Sequence, residues 1–178
     1  PHLFSSAASD VYKRQLVARA IPESVESLCV VGSNGLGLPI ATLAMVKPRR
    51  DMSAAELWET HRTNLAVLML ADRSVADDVA VYLQVETTRR ARLRSLDIPH
   101  SDVLARALGE VQCPVHAIWG ERDALTGSHL DARRRLFEAL PNGRFSVIPQ
   151  AGHWAMYERP EQFERLFLDG IEPREGAH

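Results

Sequence analysis

"AIWGERDAL" (117–125) and "VIPQAGHWAMYERP" (147–160) decide how this chain is read. Each begins in an apolar run and ends in a turn that carries one chemically able side chain, Asp123 in the first and His153 in the second. Taken in full, the runs are "PVHAIWG" (114–120) and "RFSVIP" (144–149), and continuous apolar runs that short fit buried strands. Helical patterns follow both. "GSHLDARRRLFEAL" (127–140) sets Leu130, Leu136, Phe137 and Leu140 at helical spacing and closes on Pro141, Asn142 and Gly143. "RPEQFERLFLDGI" (159–171) has Pro160 in its first turn and Phe163, Leu166 and Phe167 on one face. Strand and helix alternating in this way predict an α/β protein whose parallel strands are joined by right-handed crossovers.

Open α/β sheets keep their ligand crevice beyond the carboxyl ends of the strands, which is where Asp123 and His153 both fall. Neighbouring parallel strands stand roughly 5 Å apart, or twice that if one intervenes, so a carboxylate and an imidazole on adjacent loops can meet. In such a pair the carboxylate fixes the imidazole tautomer and stabilises its cation, and the second ring nitrogen is left free as a general base. Neither residue is informative alone, because an Asp after a strand commonly caps a turn and a His in a glycine turn is commonly incidental. Their combination, acid first and base second, is the signal.

Upstream, "LVARAIPESVESLCVVGSNGLGLP" (16–39) reads as a helix tail ended before Pro22 and a strand, Leu28 to Val31, stopped by Gly32. About eighty residues then read as helices only. "SAAELWETHRTNLAVLML" (53–70) opens with Ser53 and Glu56 in capping-box positions and stripes Leu57, His61, Leu65 and Leu68 along one side. "SVADDVAVYLQVETTRRARL" (74–93) repeats the device with Ser74 and Asp77, followed by Val75, Val79, Tyr82 and Leu83. "HSDVLARALGEV" (100–111) supplies a shorter helix begun at Ser101. A helical block that interrupts a βαβ order predicts a lid at the carboxyl edge of the sheet, over 45–112, between the segment 16–44 and the strand–helix units of 113–178. There is no internal repeat.

A net charge of −2, a pI near 6.4 and only 6% aromatic residues point to neither a nucleic-acid groove nor an anionic membrane surface. The arginine clusters, Arg89, Arg90, Arg92 and Arg94 and then Arg133 to Arg135, read as solvated helix faces. Cys29 and Cys113 lie within apolar runs and read as small buried hydrophobes rather than a disulfide or a reactive thiol. No CxxC or HExxH spacing occurs, and neither a metal nor a cofactor is expected. No apolar run approaches the ~20 residues of a membrane span, no signal peptide is visible, and the cytoplasm is the default location. "GSNGLG" (32–37) has its spacing the wrong way round for a dinucleotide loop, and Pro39 blocks an immediate helix start. His61 reads as a core histidine, and His100 and His129 as surface residues.

"SSAASDVYKRQ" (5–15) belongs to none of this, having no apolar period and no cap before a periodic run. Written back into codons, its whole length resembles a commonly used transposon-end sequencing adapter translated in frame. Residues 1–15 are therefore expected to be a non-native tail and are set aside as a fusion scar would be. The rest of the chain, about 160 residues, is enough for one domain with a core of its own.

"PVHAIWGERDAL" as an acid strand, "AGHW" as a base loop and "PESVESLCVVGSNGLG" as the strand after a nucleophile helix resemble the α/β-hydrolase superfamily, over essentially all of 16–171. The resemblance implies a partial α/β-hydrolase fold: the last three strands of a parallel sheet, with a helical lid inserted after the first of them. It also implies a small-molecule substrate, Asp123 as the triad acid, His153 as the base, and a nucleophile on a sharp elbow usually written G-x-S-x-G. This chain has no such motif. Counting back from Pro22 puts the elbow near positions 8–10, inside the adapter-like run, where Ser9 lacks flanking glycine and is assigned to coincidence. The chain as written is therefore expected to be inactive. Trp154 directly after the His, with "TNLAVLML" (63–70), resembles the carbon–carbon bond hydrolases that cleave ring-fission products of aromatic degradation. That subfamily carries a lid arginine that grips the substrate carboxylate; Gln84 falls near its position, and Arg89 or Arg90 a turn later. Trp154, as substrate wall or as plain packing, and Arg89 are thus the substrate-binding candidates. An Asp nucleophile as in dehalogenases and epoxide hydrolases, a non-catalytic binding module on the same scaffold, and a homo-oligomeric parent all stay open.

Overall fold

Among the described residues three strands form where the apolar runs predict them: β1 (Leu28–Val31), β2 (Val115–Gly120) and β3 (Gly143–Ile148). The computed structural model describes residues 20–90 and 98–171, so the adapter-like run with Ser9, and also Arg92 and Arg94, lie outside the described residues. The strands are parallel in the order β1-β2-β3, with Leu28 opposite Val115 and Val115 opposite Gly143. Every residue of β2 is buried, which is why its sequence shows a run rather than an alternation. One face carries Val30, Val115, Ala117, Trp119 and Phe145 against Leu36, Leu104, Leu108 and Phe137. The other carries Ile118 and Ile148 against Ala151, Ala155, Phe163 and Leu166. Trp119 fixes the first face, its ring stacked on Phe145 at 5.5 Å and tilted on Phe137 at 5.6 Å.

Between β1 and β2 the regular elements among the described residues are helical: α1 (Ala54–Leu68), α2 (Asp78–Arg90) and α3 (Val103–Leu108), with short 3-10 turns. The Ser53–Glu56 capping box forms as expected, each side chain serving the other's backbone N–H. Thr60, Asn64, Leu65 and Leu68 make the buried side of α1, while His61 is half-buried. Asn64 bonds both the N–H and the carbonyl of Val46 at 2.8 Å, tying the preceding segment to the helix.

The expected phase of α2 is overturned. Ser74 sits in a 3-10 turn headed by Asp72, and the helix starts later, where the Asp77 carboxylate accepts the Ala80 N–H at 2.8 Å. Ala80, Val81 and Gln84 then face inward, and Val79, Tyr82 and Leu83 are exposed by 59%, 55% and 43%. The small side chains of Ala76 and Ala80 let α2 close on Leu65 and Leu68, which the larger apolar residues could not do. Ser101 likewise does not begin α3; Asp102 precedes its first residue. The remaining helices are α4 (Leu130–Glu138), α5 (Ala155–Glu158) and α6 (Pro160–Ile171), the last led by Pro160.

The cluster that holds α1 and α2 together also contains Leu125, from the loop after β2, and takes Trp154 and Tyr157 on its rim. The helical block therefore packs on the carboxyl ends of the strands, next to Asp123 and His153.

Candidate active site

The loop after β2 is built around one carboxylate. Asp123 follows a turn closed by its own N–H on the Gly120 carbonyl at 3.2 Å. Its Oδ1 accepts the N–H groups of Leu125 at 2.9 Å and Thr126 at 3.2 Å. Trp119 Nε1 donates to Thr126 Oγ1 at 3.1 Å, pinning that turn to the core. With one oxygen committed to the backbone, the other is aimed: Oδ2 stands 2.9 Å from His153 Nδ1. The Asp123 side chain is fully buried and that of His153 is 15% exposed, so the contact is shielded from water. A carboxylate on Nδ1 favours the tautomer with the proton there, and in the neutral ring Nε2 is then the acceptor.

A third loop meets the same imidazole. Gly32, just past β1, has φ +50°, and a Cβ built on it would lie 3.1 Å from His153 Cε1 and Nδ1. On the other side of the histidine, a Cβ on Gly152 would fall 2.6 Å from the Ala71 nitrogen, and Trp154 N–H donates to the Met69 carbonyl at 2.8 Å. His153 is thus held between β1's loop, β2's loop and the connection after α1.

Asp123 and His153 are the expected site residues that the structure brings together. Trp154 is half-buried beside them, its ring 6.0 Å from that of Tyr157 and packed on the Leu65–Leu68 cluster. Arg89 is directed elsewhere: its guanidinium donates to Glu86 on its own helix at 3.0 and 2.9 Å, Arg90 shares that carboxylate, and both arginines are exposed. Gln84 is buried on the inner side of α2.

One arginine of the second cluster is not solvated, although its neighbours Arg134 and Arg135 are half-buried and exposed. Arg133 on α4 is 1% exposed and donates to the carbonyls of His129 at 3.2 Å and Pro39 at 3.1 Å. Burial pushes its pKa down, and the charge of Asp123 works in the opposite direction, so a buried cation stands behind the acid. Cys29 and Cys113 are both free thiols, with that of Cys29 pushed up to about 11 by burial, far from a reactive thiolate. His61 has a buried Nδ1 without a partner and a pKa lowered by burial. His100 is exposed and His129 half-buried. Among the described residues no group of three His, Cys, Asp or Glu side chains could hold a metal ion.

Sequence reasoning missed Gly32, Arg133 and Glu158. The carboxylate of Glu158 is buried and accepts backbone N–H groups from Ala71, Asp72 and Gly152. A Glu in an ERPEQ context gives no sign of this.

Against known proteins, a 2-hydroxy-6-oxo-6-phenylhexa-2,4-dienoate hydrolase of Burkholderia cepacia is 27% identical over 159 residues, 83% of this chain and 54% of that protein. A 2-hydroxy-6-oxononadienedioate/2-hydroxy-6-oxononatrienedioate hydrolase of Pseudomonas putida is 38% identical over 65 residues, 36% of this chain and 22% of that protein. The chain spans about half the length of the first of these and a smaller part of the second. A solved meta-cleavage product hydrolase from Pseudomonas fluorescens IP01 superposes with a TM-score of 0.61 at 18% identity, covering 90% of this chain and 61% of that one, which is a likeness of fold. No helix among the described residues is long and apolar enough to cross a membrane. The sequence model of the alpha/beta hydrolase family matches residues 7–166, and with three parallel strands delivering a buried acid and a histidine to one edge, the chain belongs to the alpha/beta hydrolase family.

Proposed function

We propose that this chain carries the acid and base of a hydrolase that cleaves an ester, or a carbon–carbon bond next to a carbonyl, in a small organic substrate. The observation that carries the reading is the 2.9 Å contact of His153 Nδ1 with Asp123 Oδ2, made by a carboxylate whose other oxygen is already fixed. In the full-length protein a nucleophile hydroxyl from a preceding elbow, absent from this chain, attacks the carbonyl carbon while His153 Nε2 takes its proton. The tetrahedral intermediate collapses, the alcohol or carbon leaving group departs with that proton, and an acyl enzyme remains. Water then attacks, His153 takes its proton, and the acid product leaves as the nucleophile is reprotonated. Asp123 holds the imidazole and stabilises its cation throughout. Relatives whose names denote hydrolases of oxo-dienoates, one of them similar over 83% of this chain, favour the carbon–carbon bond reading. The helical block on the carboxyl edge serves as the lid, with Trp154 as one of its walls. No cofactor is needed.

The test is the full-length protein assayed on an oxo-dienoate and on a simple ester, as wild type, His153→Ala and Asp123→Asn. Both variants are expected to lose about 10³- to 10⁴-fold in kcat/KM while binding is retained. His153→Ala with wild-type kcat/KM on the better substrate would overturn the assignment.

A further inference from the structure

The connection after α1 and the loop of the catalytic histidine are joined by one side chain that takes no part in the triad. Glu158, 6% exposed at the end of α5, receives the N–H groups of Ala71 at 2.9 Å and Asp72 at 2.8 Å on Oε1, and that of Gly152 on Oε2. Gly152 immediately precedes His153, so one oxygen holds the base loop and the other holds the helical block. The backbone contacts around it leave no slack. Trp154 N–H reaches the Met69 carbonyl at 2.8 Å, and a Cβ on Gly152 would lie 2.6 Å from the Ala71 nitrogen and 2.7 Å from the Met69 oxygen. Burying this carboxylate costs desolvation; among the described residues its oxygens are paired with three backbone donors and with no arginine or lysine, the guanidinium of Arg159 reaching instead the Glu158 carbonyl at 2.8 Å.

We infer that Glu158 is a positioning residue: it sets where the His153 imidazole stands relative to Asp123, and makes that position depend on the helical block being in place. This rests on the acid–base reading of Asp123 and His153. The carboxylate is required because it accepts on both oxygens. An amide in its place turns one acceptor into a donor, and that end meets an N–H already pointing at it, so one of the two attachments is lost. Displacing a general base by about 1 Å costs on the order of 10²-fold in rate.

The experiment uses the full-length protein with Glu158→Gln, Glu158→Asp, Asp123→Asn and the Glu158→Gln/Asp123→Asn pair, together with His153→Ala. Glu158→Gln is expected to lower kcat by about 10- to 100-fold with KM nearly unchanged and circular dichroism native. Its loss and that of Asp123→Asn are expected not to multiply, since both act through the one imidazole. Glu158→Asp, which keeps the charge but is one methylene shorter, is expected to fall between. Should Glu158→Gln fail to fold, amide hydrogen exchange on the wild type still decides: Gly152, Ala71 and Asp72 are expected to share one protection factor once intrinsic rates are divided out, and clearly different protection factors overturn the inference. A folded Glu158→Gln with kcat within twofold of wild type, or losses that multiply in full, overturns it as well. An inactive wild type, or His153→Ala at full activity, would instead bring down the acid–base reading beneath it.

Discussion

Gly32 shows how narrow the space around His153 is. Its φ of +50° is a conformation that a side chain disfavours by roughly 1–2 kcal/mol, and a Cβ there would press on the imidazole at 3.1 Å. Gly32→Ala in the full-length protein is therefore expected to lower the unfolding midpoint modestly and kcat more severely, because the ring must tilt away from Asp123 to make room. Urea unfolding and steady-state kinetics on one preparation check this, and an unchanged kcat would mean that the imidazole has freedom the structure denies it. Arg133 makes a different demand. Arg133→Ala leaves the His129 and Pro39 carbonyls without their charged donor, at an expected cost of about 1.5–3 kcal/mol by denaturant titration; a loss below about 0.5 kcal/mol, the usual ceiling for a surface change, would mean that it is solvated after all. These residues divide by what a sequence can carry. Asp123 and His153 are legible because strand ends fix where a loop residue must lie. Gly32 and Glu158 act through directions and distances set by distant segments, and spacing along the chain encodes neither. Arg133 reads as solvated because it sits in a run of three arginines, although its spacing from Leu130 and Phe137 puts it on the apolar stripe of its own helix.

The elements separate in the same way. β1, β2 and β3 can be found because each is a short apolar run closed by a turn, and α1 because both halves of its capping box are local. α2 cannot be phased, since two acceptable caps, Ser74 and Asp77, stand three residues apart and only packing against α1 chooses between them. Asp77 does double duty, capping Ala80 and accepting the Tyr157 hydroxyl at 2.7 Å, so it fastens α2 to α5 beside the base loop. The Ala80 N–H first, and the Tyr157 hydroxyl second, hold its carboxyl below the ordinary range. A depressed folded-state pKa gives stabilisation that is complete above the unfolded value of about 4 and is lost as pH falls through the folded one. Asp77→Ala is accordingly expected to be less stable than wild type at about pH 7, with the gap narrowing as pH falls below the unfolded carboxyl's pKa. Chemical unfolding of both proteins across that range tests the coupling; a gap that stays constant with pH would show that ionisation of Asp77 contributes nothing.

At the scale of the molecule, the surfaces left uncovered decide how the chain behaves in solution. Among the described residues β1 pairs with β2 on one side only, although Val30 is 1% exposed and the strand's composition is that of a sheet interior. Its free edge is a row of unpaired N–H and C=O groups beside apolar side chains, the arrangement that invites another strand. α6 buries no residue completely and shows Phe167, Leu168 and Ile171 to solvent, while α2 shows Val79, Tyr82 and Leu83. A three-stranded sheet with two such faces has little apolar area to set against the backbone entropy of ordering the chain. The 178-residue chain, made as written, is therefore expected to sediment as a distribution heavier than its 19.8 kDa monomer and to melt without a single cooperative transition. Pairing β1's edge and covering α6 should cure both, so a longer chain that does so is expected to unfold cooperatively under the same conditions. Sedimentation velocity and calorimetry on the two proteins make the comparison direct. A monodisperse 19.8 kDa species with one sharp transition would mean that β1's open edge and the bare helix faces cost far less than their composition implies.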